Sequence, residues 1–227
     1  MTLHAALVNP MWAALTTTHA RFAQASGTLR RFAPDIAPFC AVAAPDTVLD
    51  DTTCVQPGET IFFLGALPQL PRGWTVESAS TILQMVAGGA PPPAAQDDAP
   101  VLGDSARADM LALTALVYPE FFRPRTPVLG TYIGCHAGGV LAAMAGQRLA
   151  CPGYREISAV CTHPAHRGRG HAGRLIGQLA RAIVADADTP FLHVSAANKD
   201  AWTLYENLGF VACRELPFIR VRAGVAP

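Results

Sequence analysis

Val160-Cys161-Thr162-His163-Pro164-Ala165-His166-Arg167-Gly168-Arg169-Gly170-His171-Ala172-Gly173 decides how this chain is read. An apolar run ends at a proline, a turn rich in glycine and arginine comes next, and a helical pattern begins with Leu175, Leu179 and Ile183 on one stripe. A strand, a tight turn and a helix in that order make an anion site. The first helical turn has free N–H groups and the positive end of the macrodipole. Gly168 and Gly170 let the backbone come close to the ligand, and Arg167 and Arg169 add charge. The expected ligand is a phosphate or pyrophosphate.

Spacing alone does not say which nucleotide. No Gly-Lys-Ser/Thr closes the run, so it is not a P-loop. Gly168-x-Gly170-x-x-Gly173 fits the glycine spacing of dinucleotide folds, but the next strand, Phe191–Ser195, runs into Ala196-Ala197-Asn198 without the carboxylate that a ribose needs. The segment from 155 to 195 reads as a strand–helix–strand unit with a right-handed crossover.

Working outward, a helix is expected from Ser105 to Tyr118, capped by Asp104 or Ser105. Strands are expected at Tyr132–His136 and Val140–Arg148 around Ala137-Gly138-Gly139, at Arg155–His163, and at Pro217–Arg222. A helix over Lys199–Asn207 stops at Leu208-Gly209. Upstream, Gly88 to Pro100 is rich in glycine and proline and reads as a linker. It separates residues 1–87, a smaller α/β lobe, from 101–227. The lobe shows a helical stretch over 10–25, strand-like runs at Thr60–Leu64 and Trp74–Val86, and no catalytic motif.

A downstream stretch gives the turn its context. Arg167-x-x-Gly170-x-Ala172 resembles the acetyl-CoA signature of the GNAT superfamily of N-acetyltransferases. Asn198-x-x-Ala201-x-x-Leu204-Tyr205-Glu206-x-Leu208-Gly209-Phe210 resembles that family's second segment, in the right order. Glu156-Ile157-Ser158-Ala159-Val160-Cys161-Thr162-His163-Pro164 resembles the branch that includes glycine N-acyltransferase relatives. The likeness covers about residues 101–222. It leaves out 1–95, for which a degenerate second copy of the fold is one reading.

The resemblance implies an α/β GNAT fold, a mixed central sheet flanked by helices, and acetyl-CoA as co-substrate. The amides of Arg167, Gly168, Arg169, Gly170, His171 and Ala172 would hold the pyrophosphate. The backbone of Val160, Cys161 and Thr162 would pair with the pantetheine arm, and Asn198 and Tyr205 would lie near the sulfur. The activity implied is transfer of an acetyl group to an amine of a small molecule, amino acid or peptide. Glu156, toward the start of its strand and so beyond the acyl group, would be the base, directly or through water, and Tyr205 the acid. The alternative is a non-catalytic acyl-CoA-binding module. Phe121-Phe122-Arg123-Pro124-Arg125 falls where such enzymes often bind acceptor.

Other readings of the same residues are weaker. Cys161, His163, His166 and His171 match no zinc spacing, and the arginines would repel a cation, so no metal is expected. Cys161 has no evident partner base for a nucleophile's role. His193 sits in an apolar run and reads as a core or cleft-lining residue.

Composition sets the outer bounds. The 227 residues are 51% apolar and 15% charged, with 17 basic and 17 acidic side chains. That supports a real core and gives no electrostatic footprint for nucleic acid. Six scattered cysteines without a Cys-x-x-Cys pair read as reduced thiols. With neither a signal peptide nor a long apolar run, the expected protein is cytoplasmic, bacterial by its alanine and proline bias, and free of membrane, with a homodimer as one possible assembly.

Overall fold

The computed structural model describes residues 5–89, 91 and 98–224. Most of the sequence-defined linker, residues 90 and 92–97, lies outside them. Two short helices open the chain, α1 (Ala5–Val8) and α2 (Pro10–Thr16). Asn9 caps α2 through the Trp12 N–H, and Pro10 takes the first turn, where its missing donor costs nothing. The helix expected over 10–25 stops at Thr16. The hydroxyls of Thr16 and Thr17 turn back onto the carbonyls of Trp12 and Ala13 and compete with continuation. In its place the chain forms a hairpin, β1 (Ala23–Ser26) and β2 (Leu29–Phe32). Gly27 makes its turn at φ 49°, and a Cβ there would meet the Asp50 carboxylate at 2.1 Å.

The lobe continues with β3 (Phe39–Ala41), β4 (Thr60–Leu64) and β5 (Thr75–Ala87). After the linker come α3 (Arg107–Val117), β6 (Tyr132–Ala137), β7 (Val140–Cys151), β8 (Tyr154–Thr162), α4 (His171–Ala185), β9 (Thr189–Ser195), α5 (Lys199–Asn207) and β10 (Phe210–Arg222). A 3₁₀ turn over Asp104–Ala106 feeds α3, and neither Asp104 nor Ser105 caps it by a side-chain bond. The last strand is much longer than the expected 217–222, because β5 pairs along its whole length and compensates the break at Pro217.

All ten strands form one mixed sheet in the order β1-β2-β3-β4-β10-β5-β9-β8-β7-β6. The division near residue 95 is therefore a division of the chain and not of the sheet. The pairing pattern repeats. In each half two antiparallel ladders lead to a parallel one, β1-β2-β3-β4 and β6-β7-β8-β9. Each half then pairs with the other's last strand, β4 with β10 and β9 with β5, and those two lie antiparallel at the centre. The halves differ in what joins the parallel pair. In the second it is α4; in the first, residues 42–59 carry no helix.

Helices cover both faces of the second half. Leu175, Ile176, Leu179, Ala180 and Ile183 of α4 pack on Ala143, Ala145, Ile157 and Leu192. Each of the larger aliphatics is fully buried, which contributes about 1.5–3 kcal/mol apiece. On the other face α3 sets Met110 and Leu113 on Tyr132, Met144 and Cys161, while α2 sets Met11 and Leu15 on Phe32, Phe39 and Leu149. Among the described residues no helix is long and apolar enough to cross a membrane. The six cysteines are unpaired.

Candidate active site

The site begins where β8 leaves β9. The two strands pair in parallel only from Tyr154↔Thr189 to Glu156↔Phe191. Beyond that point they separate, and a cleft of about 720 Å³ opens between them. On its other edge β8 carries a bulge. Ser158 faces Gly146 and Cys161 faces Met144, so Ala159 and Val160 together oppose one residue of β7. Ala159 takes φ 50°, an unusual conformation for a non-glycine residue. The backbone of residues 157–162 is thus free of a strand partner along the cleft.

The glycine turn closes one end. A 3₁₀ turn over Pro164–His166 ends β8, and Gly170 caps α4 at φ 76° with no side-chain hydrogen bond. The first-turn amides of α4 have no protein acceptor by geometry of the helix. A Cβ on Gly168 or Gly170 would meet nothing within 4 Å, so the space above the turn is open. His166, Arg167, Gly168, Arg169, Gly170, His171, Ala172 and Gly173 all line the cleft there. The local bareness of this helix end, its dipole and two arginines suit a pyrophosphate.

The remaining expected residues divide. Val160 and Thr162 line the cleft. Cys161 does not. Its side chain packs on the α3 face, and burial pushes its thiol up to about 12, which removes a nucleophile's role. Asn198 lines the cleft and caps α5, accepting the Ala201 N–H at 3.1 Å. Tyr205, on α5, lines it too. Burial holds its phenol at about 12, so it keeps its proton at neutral pH. His171 lies beside Cys135, 3.4 Å from Nδ1 to Sγ. Among the described residues no three His, Cys, Asp or Glu side chains converge to hold a metal.

Glu156 is placed differently from the expectation of a carboxylate waiting in the cleft. It is 1% exposed and does not line the cavity. Arg148 donates from Nε (2.9 Å) and Nη2 (2.6 Å), His193 from Nδ1 (2.8 Å), and the Leu149 N–H is at 3.3 Å. Burial opposes its ionisation, but Arg148 and His193 outweigh it and hold the carboxyl at about 2. A carboxylate so fully occupied is a weak base. Gln84, itself buried, then reaches His193 Nε2 at 3.2 Å, and its own Oε1 has no partner. The result is a polar row, Arg148–Glu156–His193–Gln84, across four adjacent strands, with Arg148 and His193 at the cleft wall.

Sequence reasoning missed Arg148 and Gln84. A signal for Arg148 existed: it stands across the Pro152-Gly153 turn from Glu156, where opposite charges on a hairpin meet. Gln84 lies too far away in the chain for any local pattern. The Phe121–Arg125 segment is a tie between the halves. Phe121 stacks on Phe39 and Arg125 pairs with Asp35 at 3.0 Å.

The comparisons with known proteins agree with this geometry. The family model of FR47-like proteins matches residues 132–219. A solved structure from Novosphingobium aromaticivorans, described as an acetyltransferase from the GNAT family, is 32% identical over 99% of this chain and 100% of its own, with a TM-score of 0.87. A GCN5-related N-acetyltransferase from Kribbella flavida covers 98% of both chains at 15% identity and a TM-score of 0.63, a likeness of fold alone. No curated protein matches the chain. With the cleft, the turn and a full-length relative in agreement, this chain belongs to the GNAT family of acetyltransferases.

Proposed function

We propose that the protein transfers an acetyl group from acetyl-CoA to the amine of a small molecule, amino acid or peptide, by direct attack on the thioester. The bare, glycine-capped start of α4, at the mouth of the cleft between β8 and β9, carries this reading. The amides from Arg167 to Ala172 would hold the pyrophosphate. The free backbone of Val160, Cys161 and Thr162 would take the pantetheine arm as an added strand, with Asn198 beside it. The Glu156–Pro164 stretch supports placing the protein near glycine N-acyltransferase relatives. The repeated pairing supports reading residues 5–87 as a degenerate copy of the fold, one that has no counterpart of α4.

An amine must lose a proton before it attacks. We assign that proton to His193 Nε2, with Glu156 as the positioning residue that fixes Nδ1–H. At rest the Gln84 amide holds the Nε2 lone pair at 3.2 Å, so it must swing aside for the amine proton to enter, after which its unpartnered oxygen can accept the new Nε2–H. Backbone N–H groups of the bulge at Ala159–Val160 would meet the oxyanion, and Tyr205 would protonate the departing thiolate.

The test is CoA release from acetyl-CoA with a panel of amines; no release with any of them sinks the reading. Tyr205→Phe is expected to lower turnover at least tenfold, at nearly unchanged acetyl-CoA affinity, because only a hydroxyl is lost. A rate within about twofold of wild type would make Tyr205 a packing residue. His193→Ala should lose more rate at pH 7 than at pH 10, where free amine is abundant. Parallel profiles for variant and wild type would return the base role elsewhere.

A further inference from the structure

The end of the cleft away from the glycine turn differs in character. Phe39, Leu64, Ile82, Val117, Tyr118 and Phe218 wall it. Phe39, Leu64 and Ile82 come from the first half of the chain, on β3, β4 and β5. The rings are braced from behind. Phe62 stacks on Phe218 with centroids 5.6 Å apart and planes at 11°, and Phe121 stacks on Phe39 at 5.7 Å and 9°. A wall held in this way loses little freedom when a ligand covers it.

One charged side chain stands at this end. The Arg148 guanidinium lies 4.8 Å over the Phe39 ring. Its Nε and Nη2 bind Glu156, and Nη1 makes no hydrogen bond with the described residues. The other charged lining residues, Arg167, Arg169 and Asp200, belong to the turn and the start of α5. Among the described residues that line the cleft no carboxylate faces the aromatic end, and Glu156 lies buried beneath Arg148. A second ammonium on the acceptor would there meet the Arg148 cation with no carboxylate to offset it, which is unfavourable. An acceptor carboxylate would complete Arg148.

Resting on the acetyl-transfer reading, we propose that the acceptor is an α-amino acid with an aromatic or large aliphatic side chain. The carboxylate takes Arg148 Nη1, the side chain covers the Phe39–Phe218 wall, and the α-amine faces the thioester. The first half of the chain thereby shares in acceptor choice, through Phe39, Leu64 and Ile82.

The experiment measures CoA release from acetyl-CoA with L-phenylalanine, L-leucine, L-phenylalaninamide, glycine, L-lysine and spermidine. Burial of a phenylalanine- or leucine-sized side chain predicts kcat/KM about 10- to 100-fold above glycine. Phenylalaninamide should fall at least tenfold below phenylalanine. Phe218→Ala should reduce kcat/KM for phenylalanine about tenfold, while calorimetric acetyl-CoA affinity stays within about twofold and shows the fold intact. Among the acceptors, any of these results overturns the proposal: preference for lysine or spermidine, equal rates for glycine and phenylalanine, or equal rates for phenylalanine and its amide. Faster transfer from hexanoyl-CoA to glycine than from acetyl-CoA to phenylalanine also overturns it, by giving the wall to the acyl chain. Release with spermidine alone overturns the proposal and leaves the transfer reading standing; absence of release with every amine removes both.

Discussion

Gly170→Glu should abolish acetyl-CoA binding, with affinity down at least about 100-fold, in a protein that still folds. Gly170 sits at φ 76°, and its missing Cβ looks onto open space at the start of α4. The substitution strains the cap by roughly a kilocalorie or two, because L side chains avoid this conformation. Its larger effect is electrostatic. A carboxylate is placed where bare amides and the helix dipole await an anion, so it occupies and repels at once. Calorimetry of the variant, alongside its circular dichroism, checks this. Wild-type affinity in the variant would place the pyrophosphate elsewhere.

Glu156→Ala should lower stability by about 3–5 kcal/mol, the range for removing one partner of a buried ion pair. Arg148, 11% exposed at the cleft wall, would be left without its carboxylate, and His193 would lose its Nδ1 partner. For a chain of this size the melting temperature should fall by roughly 10 °C. The pH dependence has a definite sign. Glu156 has its folded pKa lowered from 4.5 to about 2, so its stabilisation is complete above about pH 4.5 and is lost as pH falls toward 2. His19, lowered from 6.5 to about 4 chiefly by burial, adds a loss that begins below about pH 6.5. Urea unfolding at pH 7, 5 and 3 should show wild type weakening at each step. Glu156→Gln should lack the extra loss below pH 4.5. A variant as stable as wild type at pH 7 would mean that the Arg148–Glu156 pair contributes nothing net.

The readable parts were those with local causes. The strand, turn and helix from Tyr154 to Ala185 arise from an apolar run, glycines needing positive φ, and a 3.6-residue stripe. Asn198 as cap and Gly209 as stop place α5 the same way. The unreadable parts had distant causes. β1 and β2 hide in polar sequence, Ala23-Gln24-Ala25-Ser26 and Leu29-Arg30-Arg31-Phe32; Arg31 is buried there because Glu59 meets it at 2.5 Å and the carbonyls of Phe32 and Cys54 accept from it. The exchange of β5 and β10 depends on pairings more than 100 residues apart in sequence. Glu156 was found by its place on the strand, yet its surroundings come from β7, β9 and β5, and those surroundings decide what a carboxylate can do.

One titration tests the central claim most directly. The strand pairing repeats in both halves, but only the second has a helix and a glycine turn at the end of its parallel pair. Calorimetric titration of acetyl-CoA into the purified chain should therefore give saturable binding of one molecule per chain. Two per chain would assign a cofactor site to the first half, and no heat at millimolar ligand would contradict the account altogether.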